Sequence, residues 1–364
     1  MVKSVYDEPN LTHTGGSLMR FYTNQHKFYC GIDLHARKMY LCVLDQNGQI
    51  RLHRNIDTDR EAFLNAIEPF REDVVVTVEC MFTWYWIADL CQSEGIPFVL
   101  GHALYMKAIH GGKAKNDKID SQKIAALSKG GLIPMSYVYP QKMRATRDLI
   151  RRRNHLVRKR AELLAHIQNT NSQYNLEETF GCLTHVKNRE GIAERFGDPV
   201  VQKSMSVDLV VIRSYDIILG DLERTIIRLA RHHDPISYAL LQTIPGVGKI
   251  LGLVILYEIE NIKRFESVQD FASYARLVKC SHESNGKKYG TGGGKIGNGH
   301  LKWAFSEATI IFLRGNEPVK KYLERLTRKH GKGKALAILA HKLGRSVYYM
   351  LKNKEPFDEE KFMR

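Results

Sequence analysis

Residues 27–56 read KFYCGIDLHARKMYLCVLDQNGQIRLHRNI, three runs rich in β-branched and aromatic residues. Asn47-Gly48, between the second and third runs, is a pair favoured in two-residue hairpins because both turn positions need a positive φ. The stretch therefore predicts an antiparallel meander. Beyond residue 58 the topology changes. DREAFLNAIEPF (59–70) has a helical period, and DVVVTVEC (73–80) is a continuous apolar strand. WYWIADLCQSEG (84–95) is amphipathic again, and PFVLGH (97–102) reads as a fifth strand with helix after it. The order β-β-β-α-β-α-β-α predicts a mixed sheet with helices on its faces.

Composition narrows the partners. A chain of 364 residues has room for roughly two or three domains, and its 43% hydrophobic content is ordinary for a globular protein. The formal charge of +16 and the pI near 9.5 are not ordinary. Such an excess attracts polyanions, nucleic acid first. No apolar run approaches the roughly 20 residues that span a bilayer, and MVKSVYDEPNLTHTGG lacks a signal-peptide core, so the expectation is a soluble, cytoplasmic protein with no membrane partner. Cys30, Cys42, Cys80, Cys91, Cys182 and Cys280 form no C-x-x-C pair and read as reduced core residues. None of the fifteen histidines falls in an H-E-x-x-H or Cys/His array.

From residue 141 the pattern becomes helical and basic. QKMRATRDLIRRRNHLVRKRAELLAHI has nine Lys or Arg in its first twenty residues, with Leu149, Leu156 and Leu163 at heptad spacing. A second run carries Val211, Tyr215, Ile218, Leu222 and Leu229. The two fit either a helical hairpin or a coiled coil between chains. Residues 170–205 show no period and carry no assignment. LLQTIPGVGKILGLVILYEI then places Pro245-Gly246-Val247-Gly248 between two apolar helices, with a polar loop (279–302) and a terminal helix set after them.

Three constellations carry chemistry. Asp33 and Glu79 each interrupt or end an apolar strand, where an acid is costly unless it meets a partner or a metal. In a ribonuclease H-like meander those strands are central neighbours, and a later helix can lay Asp117 and Asp120, which share a helix face in AKNDKIDSQK, across their ends. Four hard oxygen donors suit two Mg²⁺ ions and an in-line phosphoryl displacement. The competing reading is solvated strand ends and a charged helix start. Second, the Pro-Gly-Val-Gly turn resembles a helix-hairpin-helix, whose free amides hold a phosphate, with Gly246, Gly248 and Lys249 as contacts; G-V-G-K-I-L-G lacks the spacing of a dinucleotide fingerprint. Third, the loop holds Ser281 and Ser284 ahead of a run with six glycines from Gly290 to Gly299, with Lys287, Lys288 and Lys295 beside them. A serine nucleophile needs a base or metal and cations around the phosphate; the loop supplies the cations. A plain surface loop is the alternative.

In combination these residues resemble the insertion-sequence transposases that join an N-terminal RuvC-like DEDD domain to a C-terminal serine transposase domain, the bridge-RNA-guided serine recombinases. GIDLH with a later VTVE, then KNDKIDS, then IPGVGKILGLVILYEI leading to Lys295-Ile296-Gly297-Asn298-Gly299-His300-Leu301-Lys302, carry the resemblance over residues 28–310. It implies DNA cleavage and rejoining through a phosphoserine at Ser284, with Ser281 as fallback. Asp33, Glu79, Asp117 and Asp120 would bind Mg²⁺, and an element-encoded structured RNA would choose element ends and target. It further implies a homo-oligomer, a tetramer as dimer of dimers, on the nucleoid of a bacterium or archaeon. Lys279, Asn285 and Asn116 depart from the proline, glycine and threonine usual at those places.

The expected organisation is α/β plus all-α: a tail (1–27), a RuvC-like DEDD domain (28–138), a basic coiled-coil-like segment (139–235), a mainly helical serine transposase domain (236–350) and a second tail (351–364). In the basic segment Arg151, Arg152, Arg153, Arg158, Lys159 and Arg160 are the candidate nucleic-acid contacts. Two further functions compete: a Holliday-junction resolvase or nuclease in which the acids activate water, and a non-catalytic nucleic-acid-binding protein.

Overall fold

The computed structural model describes residues 20–109, 116–177, 181–230, 233–285, 287–292 and 296–364, and the chain divides into two compact units at residues 141 and 142.

The first unit starts with a short strand β1 (Phe21–Tyr22), then β2 (Phe28–Leu34), β3 (Lys38–Asp45), β4 (Ile50–Asp57), α1 (Arg60–Ile67), β5 (Val74–Glu79), α2 (Tyr85–Ser93), β6 (Phe98–Gly101), α3 (Ala103–Ile109), α4 (Asp117–Lys129) and β7 (Ile133–Pro134). A five-stranded mixed sheet has the order β4-β3-β2-β5-β6. The β2–β3 and β3–β4 pairs are antiparallel, while β2–β5 and β5–β6 are parallel. Asp45 Oδ1 accepts from the amides of Asn47 and Gln49, but the turn is not the expected two-residue form: of the pair only Gly48 has a positive φ, 81, and the Asp45 amide donates to the Gln49 carbonyl at 3.0 Å, which leaves a three-residue loop of Gln46, Asn47 and Gly48. β1 lies within the stretch read as a tail and pairs with β7. Two residues are too few to show a strand period.

Alternation along the central strands divides them between two cores. Cys30, Ile32 and Leu34 with Val74, Val76 and Val78 pack under α1 and α2, whereas Tyr29, Val75 and Val99 meet Ile124 and Leu127 of α4. Burying each such side chain contributes about 1.5–3 kcal/mol, and a slip of one residue would turn the whole set over. Register is thereby fixed, and with it the face on which Asp33 and Glu79 stand.

The second unit contains α5 (Gln141–Gln173), α6 (Pro199–Ala230), α7 (Pro235–Gln242), α8 (Lys249–Ile259), α9 (Val268–Tyr274), a hairpin of β8 (Cys280–Ser284) and β9 (Lys287–Gly292), then α10 (Gly299–Phe312), α11 (Glu317–His330), α12 (Lys332–Asn353) and α13 (Glu359–Met363). α5 and α6 pair antiparallel within the chain. Arg153 meets Glu223, Arg160 meets Asp216 and His166 meets Asp208, so partners descend along α6 as α5 advances. Residues 170–205, unassigned from sequence, close this hairpin: Leu183, Ile192, Ala193 and Phe196 pack on Leu164, Ile167, Met205 and Ile212. In the rest of the unit, α8 is the centre of the core, and its residues from Leu251 to Ile259 are buried.

The expected polar loop 279–302 is corrected by the β8–β9 hairpin, in which Ser284 pairs with Lys287 across Asn285-Gly286. The Asn-Gly signal is the same as at Asn47-Gly48, but the flanking runs are polar and hide the strand period. Of the cysteines read as core, Cys30, Cys42 and Cys91 are buried thiols, while Cys80 and Cys182 are exposed. No helix among the described residues is long and apolar enough to cross a membrane.

Candidate active site

Parallel pairing aligns Ile32 with Val78, and Asp33 and Glu79 are the next residues of β2 and β5. They stand side by side on adjacent strands, at a spacing of about 4.8 Å, on the face that α4 covers. Gly31 brings the helix there. A Cβ at Gly31 would lie 2.2 Å from the Ala125 amide nitrogen and 2.4 Å from the Ser121 carbonyl oxygen, so only glycine lets the α4 backbone rest on β2. Further along, Thr77 Oγ1 and Ser128 Oγ share a buried 2.9 Å hydrogen bond, and His53 Nε2 lies 2.9 Å from the Lys118 carbonyl oxygen. From Ser121 back to Asp117 is about 6 Å of helix, and from Gly31 on to Asp33 about 6.6 Å of strand, so the first turn of α4 arrives over Asp33.

That first turn is well made. Asn116 Oδ1 accepts from the Ile119 amide at 2.8 Å, and Asp117 and Asp120 sit at the positive end of the helix dipole. Asparagine caps a helix as well as the threonine it replaces, which accounts for that departure.

Like charges converge at Asp33. Burial is the chief cause raising its pKa above the ordinary carboxylate value, His35 lowers it, and Asp117 and Asp120 raise it again. Donor atoms of Asp33, His35 and Asp117 all lie within 4.8 Å of one another. Divalent ions take such ligands at about 2.0–2.6 Å, so the three fit around one ion. Glu79 adjoins them on the next strand, half-buried, and Asp120 carries Lys123 Nζ at 3.4 Å. The structure thus brings Asp33 and Asp117 together, puts Glu79 and Asp120 beside them, and adds His35. Sequence reading missed His35, although period two in Asp33-Leu34-His35 puts the ring on the Asp33 face.

The other candidate residues lie in the second unit. Ser284 ends β8 and Ser281 pairs with Thr291. Asn285 has φ 51, the left-handed conformation that asparagine tolerates nearly as glycine does, so the residue departing from the usual glycine keeps the turn. Lys287 is exposed opposite Ser284, Lys288 is the cross-strand backbone partner of Glu283, and Lys295 lies outside the described residues. Gly246 has φ 89 and its Cβ would meet the Phe312 amide nitrogen at 2.8 Å; Gly248 caps α8, and Gly248 and Lys249 are exposed.

Along α5 the arginines divide. Arg151 donates to the buried Glu258 at 2.6 Å, Arg153 to Glu223 at 2.8 Å and Arg160 to Asp216 at 2.5 Å. These three hold helices together. Arg152, Arg158 and Lys159 are exposed, with Lys159 on Glu162 at 2.8 Å. Glu258 also accepts from Arg147 at 2.9 Å and from Asn298 Nδ2 at 2.7 Å, while Asn298 Oδ1 caps α10 by accepting from the amides of His300 and Leu301. Burial would raise the Glu258 pKa, but Arg151, Arg147 and Asn298 outweigh it and hold the carboxyl at about 2.

A sheet that carries converging acids at its strand ends, in a strongly basic chain, belongs to the nucleic-acid-processing class, and comparison with known proteins gives the class its name. Residues 30–176 match the DEDD transposase family model of the IS110 group, described as Transposase, and residues 238–324 match the model described as Transposase IS116/IS110/IS902 family. The chain belongs to this IS110/IS116 transposase family. The Coxiella burnetii transposase for insertion sequence element IS1111A is 23% identical over 334 residues, 90% of each chain. The pilin gene-inverting protein of Moraxella lacunata is 30% identical over 154 residues, 41% of this chain and 48% of that protein; its Moraxella bovis counterpart is 32% identical over 125 residues, 33% and 38%. The reaction class is DNA transposition or recombination, and the DEDD match together with the acidic cluster points to a divalent metal.

Proposed function

We propose that the chain cuts and rejoins DNA through a phosphoester at Ser284, assisted by a RuvC-like centre at Asp33, Glu79, Asp117 and Asp120. The observation that carries the reading is the meeting of Asp33 and Asp117 under the first turn of α4, beside Glu79. The strand order supports a ribonuclease H-like fold: a three-stranded antiparallel meander whose first strand is continued on its other side by two parallel strands.

Mg²⁺, favoured by the hard oxygen donors, would supply positive charge against the phosphate oxygens. The protein's own groups do the rest. Ser284 Oγ bonds to phosphorus as the bond from phosphorus to one strand oxygen breaks; the serine proton passes to a carboxylate base and the leaving oxygen gains a proton. A strand hydroxyl then attacks the phosphoserine and releases Oγ, so the bond energy is kept without a nucleotide cofactor. Lys287, Lys288 and Lys295 neutralise the phosphate. Arg152, Arg158 and Lys159, exposed on α5, with Gly246, Gly248 and Lys249, take backbone phosphates, while Arg151, Arg153 and Arg160 act through the fold. The partners inferred are element ends and target DNA on a bacterial or archaeal nucleoid, a structured guide RNA and three further copies of the chain, as a dimer of dimers; the motif resemblance supports these. A second reading, a resolvase or nuclease that activates water, is favoured by the grouping of acids within one unit.

Incubation with DNA carrying the element ends, guide RNA and Mg²⁺ tests the metal-centre half. Wild type should cleave and join; Asp33→Asn should lose at least about a hundredfold in rate with folding intact. Cleavage by Asp33→Asn at the wild-type rate would remove the acids from the mechanism.

A further inference from the structure

We propose that His35 is a nitrogen ligand of the divalent ion held by Asp33 and Asp117, and that it biases the centre toward first-row transition ions over Mg²⁺. The inference rests on the metal-centre reading above and adds a ligand and a selectivity to it.

His35 comes directly after the last residue of β2, two positions after Asp33, with Leu34 between them pointing into the opposite core. Its backbone is fixed on both sides: its amide donates to the Lys38 carbonyl at 3.1 Å, and its carbonyl accepts from Thr58 Oγ1 at 2.9 Å. The ring therefore stands on a closed turn between paired strands. Its Nε2 lies 3.5 Å from Asp33 Oδ2 and 3.6 Å from Asp117 Oδ1. Both exceed the roughly 2.7–3.2 Å of an N–H···O bond. They match donors that share an ion: ligands at about 2.2 Å lie about 3.1 Å apart at right angles and about 3.6 Å apart at the tetrahedral angle.

The donor chemistry sets the preference. Mg²⁺ keeps a near-octahedral oxygen shell and gives up water reluctantly, whereas imidazole binds the first-row transition ions well. An all-carboxylate centre would be a magnesium site; one imidazole among the carboxylates moves it toward the transition series. The competing account is that His35 acts only as an imidazolium counter-charge, and it gives the opposite metal response: removing a positive charge would strengthen cation binding.

Mn²⁺ is the probe, because it is paramagnetic. Full-length wild type, His35→Ala and Asp33→Asn are titrated with Mn²⁺ by electron paramagnetic resonance, with Mg²⁺ as competitor, and spin-echo modulation is recorded for directly bound ¹⁴N. Wild type should show the nitrogen coupling. His35→Ala should lose it and bind Mn²⁺ about tenfold or more weakly, with Mg²⁺ affinity changed by less than about threefold. The ring is 56% exposed, so the unfolding midpoint should not move. Mn²⁺ bound through Asp33 without nitrogen coupling, or bound as tightly or more tightly by His35→Ala, overturns the assignment and leaves the metal centre standing. If wild type shows no Mn²⁺ site that Asp33→Asn removes, the metal-centre reading fails and His35 with it.

Discussion

Glu258 is a carboxylate 1% exposed to solvent that nevertheless stays ionised, because Arg147, Arg151 and Asn298 surround it. Its folded pKa is about 2 against an ordinary 4.5. A depressed carboxylate stabilises the fold above its unfolded pKa and loses that contribution as pH falls through the folded one. Unfolding free energy measured in urea should therefore fall between about pH 4.5 and about pH 2, by a few kcal/mol from this group. Glu258→Gln should be less stable at neutral pH by about 3–5 kcal/mol, since two guanidinium groups lose their counter-charge, and its profile should be flatter in that window. A pH profile like that of wild type would show that the carboxylate does not tie α5 to α8 and Asn298. Sequence reading did not single out Glu258, although it interrupts an apolar run as Asp33 does. Its arginines lie more than a hundred positions earlier in the chain, a separation that local pattern cannot bridge.

Among the elements, α4 decides whether a site exists. Its seat depends on Gly31, where a Cβ would enter the helix backbone at Ala125 and Ser121. Gly31→Ala should push the helix off β2, destabilise the unit by about 1–3 kcal/mol in urea, and weaken Mn²⁺ binding although no ligand has changed. Unchanged stability with unchanged metal affinity would contradict the packing account. Strands β2 to β6 and the start of α4 were legible because each carries a local signature: Asn47-Gly48, the VVVTV run, the paired aspartates of AKNDKIDSQK that share a helix face. The hairpin β8–β9 was not, because its strands have no apolar alternation to set against the Asn285-Gly286 turn. Nor was β1, two residues held to the unit by pairing with a strand more than a hundred residues later.

For the whole molecule, charge and family agree: a chain of net charge +16 belongs to a family of transposases, whose substrate is a polyanion. Charge alone does not tell which basic groups also meet carboxylates. Half of the arginines and lysines named on α5 serve the fold, through Glu258, Glu223 and Asp216, and sequence reading could not separate them from Arg152, Arg158 and Lys159 because a basic helix face has the same composition whether it meets carboxylates or phosphates. The acids divide in the same way. Their order along the chain was readable, but the convergence of Asp33 with Asp117 required the sheet order, and His35 required the strand face. The central claim is that DNA is cut by transfer to Ser284. It is tested most directly by trapping the covalent product: wild type, Ser284→Ala, Ser281→Ala and Asp33→Asn are incubated with end-labelled element DNA, guide RNA and Mg²⁺, denatured, and separated on a protein gel. Labelled DNA should remain attached to wild type and Ser281→Ala and be absent from Ser284→Ala and Asp33→Asn; an adduct that persists in Ser284→Ala, or cleavage by wild type with no adduct, would contradict it.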